Sequence, residues 1–375
     1  MPGADARGQA VAGSILTIDL AAIVDNYRLL AAKAAPAQCA AVVKADAYGL
    51  GAARVAPALW RAGCRTFFVA LYAEGVALRR MLPKAVVYVL NGFHTADPEP
   101  YIADRLRPVL ASLDQIDRWR KSVDRRRGGA AGLHLDTGMA RLGLPFDEMS
   151  ILANEPWRWR DMNITLAMSH LACPDEPTHL LNRQQLRRFK DSIGRLALPK
   201  SVRFSLASSS GIFLGRAYHF DLVRPGAGLF GLAPVIGRPN PLRPVIRLQS
   251  KVLQTRRVDA GLTVGYGATH RFARPARLAT IAVGYADGFS RALSNRGGAY
   301  IAGRLAPIVG RVSMDLVTLD ISDFSEDEIR PGDLVDLIGS DQSVDAIARE
   351  AGTIGYEVLT SLGRRYQRRY LNHSE

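Results

Sequence analysis

Residues 41–51 read AVVKADAYGLG, Ala41 to Gly51, a short apolar run that ends on one lysine and breaks at once into a glycine-rich turn. Ala40 to Val43 carry no polar side chain, as expected of a strand buried on both faces of a parallel sheet. Lys44 then stands at the end of that strand, where an ammonium is costly to bury unless it is paired or chemically employed. Taken alone, such a lysine is more often a snorkelling surface residue. One employment fits it well, because a partly desolvated lysine loses its proton easily and condenses with an aldehyde such as that of pyridoxal phosphate. Tyr48 is close enough to offer a hydroxyl to a cofactor phosphate, and Gly49 and Gly51 let backbone approach closely.

Outward from this strand the chain repeats one pattern. LTIDL (16–20) is followed by AAIVDNYRLLAAKA, whose Ile23, Tyr27 and Leu30 recur at helical spacing after a candidate cap at Asp19. Strand-like TFFVA (66–70), VVYVLN (86–91), RPVLAS (107–112), GLHLD (132–136), TLAMSHLA (165–172), RFSLAS (203–208) and HFDLVR (219–224) follow, each with a loop or helix behind it. Roughly eight βα units imply a parallel sheet closed into a TIM (β/α)8 barrel rather than an open α/β sheet. From about residue 241 the texture changes to β-rich segments separated by Gly/Pro turns, with one helix at VDAIAREAG (344–352). The expected organisation is a flexible tail over 1–11, a barrel over 12–240 and a mainly β C-terminal domain over 241–375.

Composition narrows the function. With 375 residues and 48% hydrophobic content the chain can bury a large core. Its cysteines, Cys39, Cys64 and Cys173, have no zinc or disulfide spacing, which favours a reducing cytoplasm. Cys173 reads as a small buried hydrophobe rather than as half a metal site with His170, so no metal is expected. The N-terminus has no sustained apolar signal-peptide run, and no uncharged apolar run approaches the roughly 20 residues that span a membrane. The net charge of +14 sits partly in Arg118–Arg127 and Gly363–Tyr370, neither of which matches a nucleic-acid fold. A solvated basic surface is the simpler reading, and neither nucleic acid nor membrane is an expected partner. The literal G-x-G-x-x-G at Gly226–Gly231 runs into APVIGRPNP, where prolines deny the helix a dinucleotide site requires.

VVKADAYGLG resembles the cofactor-lysine signature of the alanine racemases, barrel-type pyridoxal-phosphate enzymes, and the likeness extends from LTIDLAAIVDNYR to YEVLTSLGRRY. DTGMARLG (136–143) looks like the family's second signature and AVGYADG (282–288) like its tyrosine signature, with GRVSMD (310–315) beside it. The resemblance implies that Lys44 carries the cofactor and acts as one acid/base, with Tyr285 as the other. Arg141 would pair with the substrate carboxylate, near Met314; a guanidinium suits this because its fork of donors matches two oxygens. Tyr48, Ser209, Gly226 and Ala227 would bind the cofactor phosphate, and His170 would contact Arg224 beneath the pyridine ring. The active site is expected to be shared between two subunits of a homodimer.

Arg224 is mechanistically telling. With a pKa above about 12 an arginine donates a hydrogen bond but cannot hand over a proton, so a ring nitrogen facing it stays largely unprotonated and the electron sink is weak. Racemisation suits this better than transamination, and it needs two acid/base groups on opposite faces of a planar Cα. Interconversion of L- and D-alanine is therefore the implied activity, supplying D-alanine for peptidoglycan or degrading it. Breadth toward serine is one alternative. A barrel-type amino-acid decarboxylase is another, against which Arg224 and Ser313 argue, since that enzyme should set an acid against the ring nitrogen and a cysteine near the β-domain site. A non-catalytic pyridoxal-phosphate-binding barrel would lack the GYADG domain. The chain departs from the family pattern at three places: Ser208 where relatives often have Asn, His134 where some carry a carbamylated lysine that orients the arginine, and Arg364 where some carry a phosphate-contacting tyrosine.

Overall fold

The computed structural model describes residues 12–95, 97–123 and 129–372. The proposed tail over 1–11 and the last three arginines of the basic stretch, 125–127, lie outside the described residues. Strand Ser14–Asp19 (β1) leads into helix Leu20–Ala34 (α1). Asp19 caps it as predicted, its Oδ1 accepting the Ala22 N–H at 2.8 Å. Ile23, Tyr27 and Leu30 are all buried.

The barrel begins with Gln38–Cys39 (β2) and Ala41–Val42 (β3) and continues with Thr66–Val69 (β4), Val86–Val89 (β5), Arg107–Leu110 (β6), Ala130–His134 (β7), Asn163–Met168 (β8) and Arg203–Ser205 (β9). β3 to β9 form one parallel sheet in sequence order. Leu222–Val223 (β10) closes it, pairing parallel with β2 so that Leu222 faces Gln38. On its other side the Asp221 N–H donates to the Phe204 carbonyl at 3.0 Å and the Arg224 N–H to Ala207 at 2.9 Å. The ring has eight strand positions because β2 and β3 are one extended segment. Phe68 and Tyr88 point to one face of this sheet, and their chain neighbours Phe67 and Val87 to the other; all four are fully buried, each large one contributing about 2–3 kcal/mol. Phe68 and Tyr88 stack at 5.0 Å, and the Arg224 guanidinium lies 5.9 Å above the Phe68 ring.

LTIDL does not belong to this barrel. β1 pairs antiparallel with Ile246–Val258 (β11), Leu16 opposite Leu248, and parallel with Gln367–Leu371, Ile15 opposite Gln367. The physical reason is visible in β1 itself: Ser14, Leu16 and Ile18 are buried while Ile15, Thr17 and Asp19 are only half so. A strand with one apolar face fits a one-sided sheet, whereas barrel strands are buried on both. The chain accordingly divides into one unit of Ile23–Arg243 and another that joins the residues up to Ala22 to those from Pro244 onward. The second unit is mainly β, and besides the predicted helix, Val344–Ala351, it holds a further one at Gly355–Ser361.

Candidate active site

Every barrel residue singled out from sequence stands at the C-terminal end of a strand or in the loop behind it, where barrel chemistry is built. Lys44 follows β3 and is half-buried. After it Ala45, Asp46, Ala47 and Tyr48 all adopt φ between 51° and 55°. Such left-handed backbone costs an L-residue roughly 1–2 kcal/mol each, so the turn must be held by its surroundings. Asp46 Oδ1 accepts the Ala52 N–H at 2.7 Å, and Glu74 Oε1 accepts the Ala45 N–H at 2.6 Å.

The Arg141 loop is organised by Asp136. Its carboxylate accepts the N–H groups of Gly138 and Met139 at 2.9 Å and Ala140 at 3.1 Å. The loop then folds back, Leu144 N–H donating to the His134 carbonyl at 2.8 Å and Asp136 N–H to Leu144 at 2.9 Å. This turn holds the Arg141 backbone, and Arg141 itself is exposed.

Arg224 is buried, and it donates through Nη2 to the Ser169 carbonyl at 2.6 Å and through Nη1 to the Ser205 hydroxyl. Ser169 Oγ bonds Thr137 at 2.7 Å. Gln185, fully buried, donates to Thr137 Oγ1 at 3.3 Å and to the His170 carbonyl at 2.8 Å, and accepts the Ala172 N–H at 2.9 Å. This network ties the loops carrying Arg141 and His170 to Arg224. Sequence reasoning missed Glu74, Thr137, Ser169, Gln185 and Ser205, for their roles depend on contacts between strands and helices distant in sequence. Cys173, expected to be buried, is only partly so.

Ser209 lies within 3.0 Å of the Gly226 N–H and 2.9 Å of the Gly228 N–H, accepting both at its hydroxyl. These amides belong to the loop that the sequence assigned to phosphate, and buried Ala227 begins its 3-10 turn, Ala227–Phe230. Gly226 is needed there, because a Cβ would stand 2.2 Å from the Tyr48 hydroxyl. The Ser209 hydroxyl thus draws the Gly226 and Gly228 amides together beside Tyr48 in one small polar cradle.

In the β unit, Tyr285 opens a 3-10 turn and is 42% exposed; Met314 is 54% exposed. Tyr285 N–H donates to the Ser313 carbonyl and Ala286 N–H to Met314, both at 3.0 Å. GYADG and GRVSMD are therefore laced together, and Gly284 permits it, since a Cβ there would meet the Met314 carbonyl oxygen at 2.2 Å. Arg365 pairs with Asp315 at 2.7 Å and with Asp287 at 3.1 Å, fixing both motifs from a third segment.

The barrel site is cationic. Burial lowers the Lys44 pKa and Arg141 lowers it further, against an opposing pull from Glu74. Burial alone brings Arg224 down to about 9, below the ordinary arginine value expected from sequence, yet high enough that near neutral pH it stays charged and donates hydrogen bonds without giving up its proton. Burial, then Arg224 and Arg141, push His170 down to about 3. His134 falls from 6.5 to about 4, through burial first, then Arg224 and Arg141, with Asp136 opposing. Its Nδ1 has no hydrogen-bond partner among the described residues.

A pH effect follows. Because the His134 pKa is lowered on folding, the unfolded chain takes the proton first; the stability contribution is whole above pH 6.5 and is lost as pH falls toward about 4. At pH 5 the loss is about 2 kcal/mol. His134→Asn, neutral at every pH, should shrink the difference in urea-unfolding free energy between pH 7 and pH 5 by that amount. An identical difference in variant and parent would remove His134 from the account. Any acid-side rise in KM from a charged His134 beside Arg141 is expected only below about pH 5.

A strand-end lysine with a lowered pKa, a small polar glycine cradle and a buried arginine in one barrel are the features of pyridoxal-phosphate enzymes built on a barrel. The family description "Alanine racemase, N-terminal domain" matches residues 18–234 and "Alanine racemase, C-terminal domain" matches residues 245–370. An alanine racemase of Rhodospirillum rubrum is 50% identical over 362 residues, 96% of each chain. A catabolic alanine racemase of Agrobacterium fabrum is 50% identical over 372 residues, 97% of this chain and 94% of that one. Among solved structures, the Bartonella henselae alanine racemase with covalently bound pyridoxal phosphate superposes with a TM-score of 0.92 at 43% identity, covering 96% of this chain and all of that one. The chain belongs to the alanine racemase family.

Proposed function

We propose that the protein interconverts L-alanine and D-alanine with pyridoxal phosphate by a two-base mechanism. The observation that carries this is the set of Lys44, the Ser209–Gly226–Gly228 cradle and buried Arg224 on the strand ends of one barrel. Lys44 would hold the cofactor covalently, Tyr48, Ser209, Gly226 and Ala227 its phosphate, and Arg224 and His170 the ring side. When bound, the cofactor supplies an electron sink that acidifies the substrate's Cα proton. Arg141 orients the substrate by its carboxylate, with Met314 alongside. The Lys44 amine moves a proton at one face of Cα and the Tyr285 hydroxyl at the other.

Tyr285 is assigned to act from a second copy of the chain in a homodimer. The exposure of Tyr285, Met314 and Leu316 on the β unit supports association through that surface. Enantiomers have equal free energy in water, so the reaction runs toward whichever isomer is consumed elsewhere, whether D-alanine is supplied for peptidoglycan or degraded. Three free cysteines support the cytoplasm as its compartment. Among the described residues no helix is long and apolar enough to cross a membrane.

Incubating the purified protein with single L-amino acids and following optical activity tests the activity. L-alanine should lose its rotation completely, and serine, one hydroxyl larger, should react more slowly. Retained rotation of L-alanine, or release of carbon dioxide in place of racemisation, would overturn the reading.

A further inference from the structure

The turn after Lys44 is built against the preference of its own residues, with four consecutive non-glycine residues in left-handed backbone. Within it the Gly49 N–H donates to Ala45 at 2.7 Å and the Gly51 N–H to Asp46 at 2.8 Å. Asp46 ties it to the helix that follows, through Ala52. These bonds secure its exit. Its start, where the chain leaves Lys44, is spanned by the Ala47 N–H donating to Val43 at 2.9 Å and is tied to another element by Glu74: Oε1 accepts the Ala45 N–H at 2.6 Å, while Oε2 accepts the N–H groups of Ala70 at 2.8 Å and Leu71 at 3.0 Å. One carboxylate joins the first amide after Lys44 to the end of the neighbouring strand β4.

We propose that Glu74 is a positioning residue for Lys44, whose carboxylate clamps the left-handed turn to the end of β4 and so fixes the backbone from which the lysine side chain springs. The inference rests on the reading of Lys44 as the cofactor lysine. A carboxylate is required because all three partners are donors; an amide in its place turns an NH2 against at least one of them. Glu74 also carries the negative charge that opposes burial and Arg141 at the Lys44 amine, while His170 nearby is neutral.

Glu74→Gln in the full chain tests this, with Glu148→Gln as control, since Glu148 accepts the Leu113 N–H at 3.0 Å elsewhere in the barrel. Hydrogen exchange in the peptide spanning 44–51 should quicken about tenfold in Glu74→Gln and not in the control. In the cofactor-free chain, acylation of the Lys44 amine at pH 8 should quicken about threefold, because loss of the carboxylate lowers its pKa further. Glu74→Asp keeps both oxygens with a shorter reach and should restore part of the protection. If Glu74→Gln does not fold, the Asp variant carries the same test. Exchange over 44–51 unchanged from the parent would overturn the proposal. Borohydride reduction of the parent keeps the two readings apart: pyridoxyl absent from Lys44 refutes the cofactor assignment, while the exchange result judges the clamp.

Discussion

Lys44→Ala is expected to lose racemisation by at least about 10,000-fold, because one substitution removes both the covalent hold on the cofactor and the acid/base group for one face of Cα. The physical support is local. Lys44 ends a buried strand, its proton is loosened by desolvation and by Arg141, and its backbone runs into a turn held by Asp46 and Glu74. Lys44→Arg should fare no better, since a guanidinium neither condenses with an aldehyde nor releases its proton near neutrality. The direct measurement is borohydride reduction of the parent followed by peptide mapping. Pyridoxyl should appear on the peptide containing Lys44, and label on any other lysine would refute the assignment. The Ala variant should retain its unfolding midpoint in urea within the range of an ordinary half-buried surface change. A variant that is inactive only because it is unfolded would not support the role.

Tyr285→Phe removes one hydroxyl from an exposed side chain and is expected to lower kcat by about 100- to 10,000-fold. Little stability should be lost, for the Tyr285 backbone is held independently by Ser313 and its motif by Gly284 and Arg365. If Tyr285 serves a second copy of the chain, two inactive proteins should rescue each other. Lys44→Ala and Tyr285→Phe homodimers, mixed under conditions of subunit exchange, would form heterodimers with one intact site and one doubly defective site. Roughly a quarter of the sites of the parent should return at random reassortment. Failure to recover activity while exchange is demonstrated would refute either the shared site or the role of Tyr285.

Much of this was legible in the linear sequence because it is written in short, contiguous patterns. A buried strand ending on Lys44, DTGMARLG around Arg141, HFDLVRPG around Arg224 and GYADG around Tyr285 each carry their residue types and local geometry together. The repetition of βα units was enough to announce a barrel, since parallel strands joined by helices have few closed arrangements. Asp19 as a helix cap was equally local.

Only the tertiary structure decided what depends on partners far along the chain. Period-two alternation in LTIDL says that one face is buried but not against what, and pairing with β11 and Gln367–Leu371 took the strand out of the barrel. Glu74 and Gln185 look in the sequence like ordinary polar helix residues; their purpose appears only when Ala45, Thr137 and His170 arrive beside them. His134 departs from the family pattern in the sequence itself, yet its lowered pKa comes from burial and from Arg224, ninety positions later in the chain. Strand period, turn chemistry and motif spacing are short-range properties of the chain. Desolvation, long-range hydrogen bonds and the field of a distant charge come into being only when folding excludes water and brings the partners together.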